Sequence, residues 1–224
     1  MLAATHGKAT GAALLVAWCL ACGGEAPTTP RPDVLLVSID SLRADHLGCY
    51  GYRRDTSPTI DRLAHEGVRF ETAVSTTSWT LPAHAALFTG LFDLAHGTTD
   101  VYFRLAPGYR TLAEHLRAAG WTTVGLYAGP LLHPSFALDQ GFEAWVSCMS
   151  ESASAITDDD PATIFTANLA SHSDITGPRT LEAARSILER PSEGPLFLFV
   201  HLWDPHYDYI PPAPYNALFD PEYE

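Results

Sequence analysis

Three small groups of residues carry the types and spacing that could do chemistry. Asp40 closes the apolar run "PDVLLVSID" (32–40). Thr80 and His84 lie one helical turn apart in "STTSWTLPAHAALFTG" (75–90). Asp204, Pro205 and His206 follow a second apolar run in "VHLWDPHYDYIPP" (200–212). An acid directly after a strand serves as a turn residue or cap, or as a hard oxygen ligand for calcium, magnesium, manganese or zinc. Pro82 suits the first turn of a helix and "AHAAL" continues it, which places Thr80 at or near the N-cap. There it can simply cap. The same geometry leaves exposed N–H groups and a positive helix end beside the hydroxyl, which favour a bound anion. A metal on the hydroxyl oxygen would make an alkoxide nucleophile accessible. His84 could orient that group, donate to an oxyanion or act as acid or base, or it could be a packed polar residue; the spacing leaves both readings open. Asp204-Pro205-His206 is a rigid turn that can aim an imidazole into a cleft, with Trp203, Tyr207 and Tyr209 as an aromatic wall, or a proline-rich loop with chance polar residues.

The elements that must position these residues alternate. "PDVLLVSID" and "PLFLFVHL" (195–202) are continuous apolar runs, expected to form strands buried on both faces of a parallel sheet. In "SPTIDRLAHEGVRF" (57–70), Ser57 is a candidate N-cap, Pro58 fits the first helical position, Ile60, Leu63 and Ala64 form the apolar stripe, and Gly67 stops the helix. "VRFETAV" (68–74) reads as a strand, "YRTLAEHLRAAG" (109–120) as a helix, "WTTVGLYA" (121–128) as a strand and "RTLEAARSILER" (179–190) as a helix. The polar "SCMSESASAITDDDPATIF" (147–165) reads as a surface excursion. Together they predict an α/β domain with a mostly parallel sheet flanked by helices. In such sheets ligands bind at the carboxyl ends of strands, where Asp40, Thr80 and the group His201, Asp204 and His206 would gather.

The chain has 224 residues, 46% of them hydrophobic and 17% charged, which are globular proportions. A net charge of −13 excludes nonspecific nucleic-acid binding but not an anionic substrate, because a local cation can oppose the global field. Residues 1–22 read as a signal peptide: Lys8, a short apolar run, then "CLACGG". That stretch resembles a bacterial lipoprotein signal, with Cys22 as the lipidated residue; an ordinary secretory signal is the alternative. Residues 23–32 form a Pro-rich tether and 33–224 the folded domain. The expectation is an exported protein, periplasmic or on the outer face of a bacterial membrane, touching the membrane through a lipid on Cys22. Cys49 and Cys148 could pair or remain two small hydrophobes. The sequence assigns no oligomeric state.

The stretch from "PDVLLVSIDSLRADHLGCYGY" through "STTSWTLPAHAALFTG", followed in order by "GFEAW" and "FLFVHLWDPHYDYIPP", strongly resembles the N-terminal region of the sulfatase family, within the alkaline phosphatase superfamily. The resemblance runs from about Pro32 to Tyr215. It implies an alkaline phosphatase/sulfatase-like fold and a metal-dependent ester hydrolase acting on a small or polymeric anionic ester. By position, Asp40 matches the first metal-ligating Asp, Thr80 the metal-bound nucleophile and His206 the anion-binding His. His84 stands where the sulfatase signature has Arg, Ser41 where a second Asp ligand is usual, and Asp208 where Pro is usual. Thr80 is not expected to be converted to formylglycine, which arises from Cys or Ser. The Gly-Lys of the family has no counterpart in "VGLYAGP", and its later Asp-His-Gly or Asp-Asn segment does not follow Tyr209. The resemblance therefore implies a C-terminally incomplete domain: a fragment, a truncated product, or a degenerate non-catalytic lipoprotein. A phosphoethanolamine-type transferase also uses Thr, but normally behind several membrane spans, and ranks lower.

Overall fold

The computed structural model describes residues 31–156, 161–190, 194–206, 209–211 and 213–219. The expected signal peptide and most of the tether lie outside them, as do Tyr207 and Asp208.

Four parallel strands form one sheet in the order β1-β4-β2-β3: β1 (Val34–Ile39), β2 (Thr122–Tyr127), β3 (Ala144–Ser147) and β4 (Leu196–Leu202). Helices α1 (Pro58–Glu66), α2 (Thr80–Thr89), α3 (Asp93–His96), α4 (Leu112–Ala118), α5 (Pro161–Ser171) and α6 (Gly177–Leu188) flank it. This is the expected α/β architecture. β4 enters between β1 and β2, so the carboxyl ends of β1 and β4 lie side by side. The register sets Ser38 opposite His201.

Local chemistry explains most boundaries. Pro58 opens α1 and Gly67 closes it. Thr111 and Glu114 form a capping box at the start of α4, and Gly120 sits beyond its end at φ +94°. β4 is buried along six of its seven residues, as its apolar run predicts. One face of the sheet packs against α2 through a layer of aromatic rings. Phe199 meets Phe88 edge-on at 4.9 Å and stacks parallel to Trp145 at 5.7 Å.

Three sequence expectations are corrected. β1 is not buried on both faces: Leu35 is 55% and Val37 47% exposed. It is the edge strand of the described sheet, and no described element covers that side. "VRFETAV" forms no strand; Val68, Phe70 and Val74 are exposed and lack a strand neighbour among the described residues. A strand-like pattern becomes a ladder only where the chain path brings it alongside a partner. The polar stretch 147–165 is not merely superficial. It buries Cys148, Met149, Ala153, Ile156 and Ile164 and leads into α5. Cys49 and Cys148 do not pair.

Candidate active site

Asp40 follows β1 directly and Thr80 is the first residue of α2, with Trp79 at the N-cap position. The strand end and the helix start meet: Thr80 Oγ1 donates to Asp40 Oδ2 at 2.9 Å. Ser41, in the left-handed region at φ +54°, turns its hydroxyl back to Asp40 Oδ1 at 2.9 Å. Burial alone would raise the Asp40 pKa. His201, as donor and positive neighbour, and then the Thr80 and Ser41 hydroxyls outweigh it and hold the carboxyl at about 2 instead of 3.8.

Asp40 and Thr80 open onto a cleft of about 790 Å³ that His206 and Trp203 also line. The His206 ring stacks on Trp203 at 3.7 Å, so the indole fixes its plane. A second cavity of about 330 Å³ shares both residues and includes Tyr209. The structure thus brings Asp40, Thr80 and His206 together. No Lys or Arg is among the described residues lining the larger cleft, and residues 32–224 contain no lysine.

His84 goes elsewhere. It is 6% exposed and is not part of the cleft wall. Its Nδ1 meets the Thr80 carbonyl at 2.8 Å, and its Nε2 meets Ser38 Oγ at 2.9 Å. Both ring nitrogens are thereby used inside the protein, the packed arrangement that the spacing had left as one of two readings. Burial, reinforced by the nearby charge of His201, lowers its pKa from 6.5 to about 3, against the smaller opposing effects of the Thr80 carbonyl and Asp40. Asp204 also turns away. Its Oδ2 accepts from Gly177 N at 2.8 Å and Thr176 Oγ1 at 3.1 Å, anchoring the start of α6.

Ser38, which sequence reasoning passed over, and His201, which it placed only at the end of the last strand, complete the arrangement. Ser38 Oγ lies 3.2 Å from His201 Nδ1, and His201 Nε2 lies 3.6 Å from Asp40 Oδ2. Asp40, Thr80, His84, Ser38 and His201 therefore close a ring behind the cleft floor. The sequence signal was faint: a polar residue one position before the end of each of two apolar strands, paired only by the parallel register.

A parallel sheet with a hydroxyl at a helix start, hydrogen-bonded to a strand-end aspartate, defines an α/β protein of alkaline phosphatase type. The chain belongs to the sulfatase family, whose pattern matches residues 32–224. It is 28% identical over 134 residues to the N-acetylglucosamine-6-O-sulfatase of Bacteroides thetaiotaomicron, covering 60% of this chain and 23% of that protein. It is 35% identical over 105 residues to the steryl-sulfatase of Rattus norvegicus, covering 42% and 18%. Among solved structures, the phosphonate monoester hydrolase of Agrobacterium radiobacter superposes with a TM-score of 0.62 at 22% identity, covering 85% of this chain and 44% of that one. The chain thus spans less than half the length of each of these proteins.

The family implies a divalent metal. The Asp40 carboxylate and Thr80 hydroxyl are adjacent hard oxygen donors. These fit part of a metal's ligand set. Among the described residues no group of three His, Cys, Asp or Glu side chains could hold a metal.

Proposed function

We propose that the chain is the nucleophile-bearing, N-terminal part of an exported, metal-dependent hydrolase of sulfate or phosphate/phosphonate esters, with Thr80 as its nucleophile. The observation that carries this reading is the 2.9 Å hydrogen bond from Thr80 Oγ1 to Asp40 Oδ2, at the floor of a cleft that His206 shares. Asp40 and Thr80 would hold the metal, which would lower the hydroxyl's pKa and offset negative charge on the ester oxygens.

Thr80 Oγ1 attacks sulfur or phosphorus. The bond from Oγ1 forms as the bond to the leaving oxygen breaks, which leaves a sulfated or phosphorylated threonine. The hydroxyl proton has its acceptor in Asp40 Oδ2. His206, held flat on Trp203, donates to an ester oxygen. The N-terminus of α2 adds a positive field at the reacting centre. Water then attacks the same sulfur or phosphorus, releases the inorganic anion and returns the Thr80 hydroxyl. His84 acts through others: it holds the α2 start and Ser38 in place and touches no substrate.

The N-terminal segment is proposed to direct export and to anchor the protein through a lipid on Cys22. A second reading, a non-catalytic binding protein on the same fold, draws on the lack of Lys and Arg among the described residues of the cleft. The deciding experiment incubates the full chain with divalent metal and a panel of aryl sulfate, phosphate monoester, phosphodiester and phosphonate substrates. The expected result is turnover of at least one ester, loss of turnover in Thr80→Ala, and a sulfonyl or phosphoryl adduct on the Thr80 peptide. If no substrate turned over, or Thr80→Ala remained fully active, the hydrolase mechanism would be wrong.

A further inference from the structure

Helix α5 has the composition of a buried helix and the exposure of a surface one. Its sequence "PATIFTANLAS" (161–171) holds no charged residue, whereas α1, α4 and α6 each carry several. An uncharged, largely apolar helix belongs in an interior. α2 also lacks Asp, Glu, Lys and Arg, and it is buried along most of its length, Thr80, Leu81, Ala85 and Phe88 included. Among its described side chains α5 buries only Ile164, Ala167 and Ser171. Phe165 and Leu169, one turn apart on the opposite face, stand exposed, Phe165 at 73%. Phe165 lines the same cleft as Asp40 and Thr80.

Tyr102, 74% exposed, lines that cleft as well, and Trp79, Leu131 and Ile164 extend its apolar wall. The end of α5 is held there, because Trp203 Nε1–H donates to the Ser171 carbonyl at 3.2 Å. Trp203 is fixed in turn by the His206 ring and by Gly129, where a Cβ would fall 2.3 Å from its Cε3. At about 790 Å³ the cleft has room for several fused rings. A charged group on such a ligand would meet no countercharge. No Lys or Arg is among the described residues lining this cleft or the adjoining cavity of about 330 Å³. The two carboxylates of that cavity are engaged within the protein. Asp174 accepts from Ser150 N at 2.8 Å and pairs with Arg179, and Asp204 holds the start of α6.

Resting on the reading of Thr80 as nucleophile, we propose that the alcohol released from the ester is bulky, uncharged and apolar, a fused-ring phenol or alcohol, and that Phe165 and Tyr102 select it. The anionic end of the ester sits at Thr80 and His206, and its ring system lies against the exposed face of α5. Seating the rings there removes from water an apolar face that the fold leaves open beside its nucleophile. Sugars carrying further anionic groups are disfavoured, because those groups would find neither Lys nor Arg among the described lining residues.

The test titrates the full chain, with divalent metal present, by calorimetry with 2-naphthol, phenol and N-acetylglucosamine. It then follows hydrolysis of 2-naphthyl, phenyl and 6-carboxy-2-naphthyl esters of the anion that the chain turns over. The expected results are 2-naphthol binding at least ~10-fold tighter than phenol, with N-acetylglucosamine weaker than both, and kcat/KM for the 2-naphthyl ester at least ~10-fold above the other two. Phe165→Ala and Tyr102→Ala should each cut the naphthol-over-phenol ratio at least ~3-fold. Both side chains are exposed, so their truncation leaves the core packed. Equal binding of naphthol and phenol, tighter binding of the sugar, or a ratio unchanged in both variants overturns the proposal. The two levels separate because the alcohols are read without turnover. Ester turnover with no preference for the larger ring keeps the hydrolase reading and overturns this inference. Naphthol selectivity in a chain that hydrolyses no ester overturns the hydrolase reading, and with it the assignment of the alcohol as a leaving group.

Discussion

Acidification tests the buried ring through His84. Its folded-state pKa lies near 3 against 6.5, with burial as the main cause. The unfolded chain takes up this proton near 6.5 and the folded chain only near 3, so between those values the unfolded state binds more protons and stability falls as the pH is lowered. At 1.36 kcal/mol per pKa unit, the loss from pH 7 to pH 5 is about 2 kcal/mol, rising to about 4 kcal/mol near pH 3. For a domain of this size, 2 kcal/mol is roughly 4–8 °C in Tm. Carboxylates elsewhere add to acid destabilisation, so the isolating comparison is His84→Gln, whose amide oxygen can still accept the Ser38 proton. Asp40 does not confuse this window. With its pKa lowered from 3.8 to about 2, its contribution is present above 3.8 and is lost as pH falls through 2. Urea unfolding of both proteins, followed by circular dichroism at pH 7 and pH 5, gives the double difference. The wild type should lose about 2 kcal/mol more than the variant over this interval. Equal losses, within about 0.5 kcal/mol, would refute a neutral, enclosed His84.

Three further outcomes follow from the packing. Ser38→Ala strands His84 Nε2 and His201 Nδ1 at about 1–3 kcal/mol each, so unfolding should show a loss of roughly 2–6 kcal/mol, and Ser38→Thr should recover most of it. Asp204→Ala removes the anchor at the start of α6 and should cost about 1–2 kcal/mol in urea unfolding, with Asp204→Asn milder. Gly125→Ala would place a Cβ 2.1 Å from Trp145 Cε3. The ring must move out of its aromatic stack, at roughly 1–3 kcal/mol, and its fluorescence should shift with the loss in stability.

What the sequence showed and what it hid divide along physical lines. β4 was legible because an uninterrupted apolar run flanked by polar residues is itself the signature of a buried parallel strand. The start of α2 was legible because Pro82 and the alanines restrict the backbone locally. "VRFETAV" misled because alternation describes a side-chain pattern, whereas a strand also needs an edge to pair with. α5 was missed because its residues follow an acidic, serine-rich stretch whose composition reads as loop. The role of His84 was undecidable from spacing. Residues four apart share a helix face, but whether that face meets solvent or sheet depends on how α2 lies against β1 and β4. Ser38 is the clearest limit: a serine in an apolar strand is unremarked until the register puts it opposite His201.

The charge inventory of the cleft ties the ring to the chemistry. Asp40 is ionised at neutral pH and faces a cleft whose described lining residues include no Lys or Arg. The N-terminus of α2 contributes about half a positive charge, which leaves the floor at roughly −0.5 near Thr80. An anionic ester would be repelled there, and a threonine hydroxyl beside a carboxylate of pKa about 2 has only a weak base at hand. A divalent cation on Asp40 reverses the sign to about +1.5. In the proposed mechanism, the cation that would activate Thr80 would therefore also admit the substrate. An arginine in the position of His84 could have supplied part of that attraction. This chain instead turns His84 inward and spends it on fixing the strand end and helix start that hold Asp40 and Thr80 together.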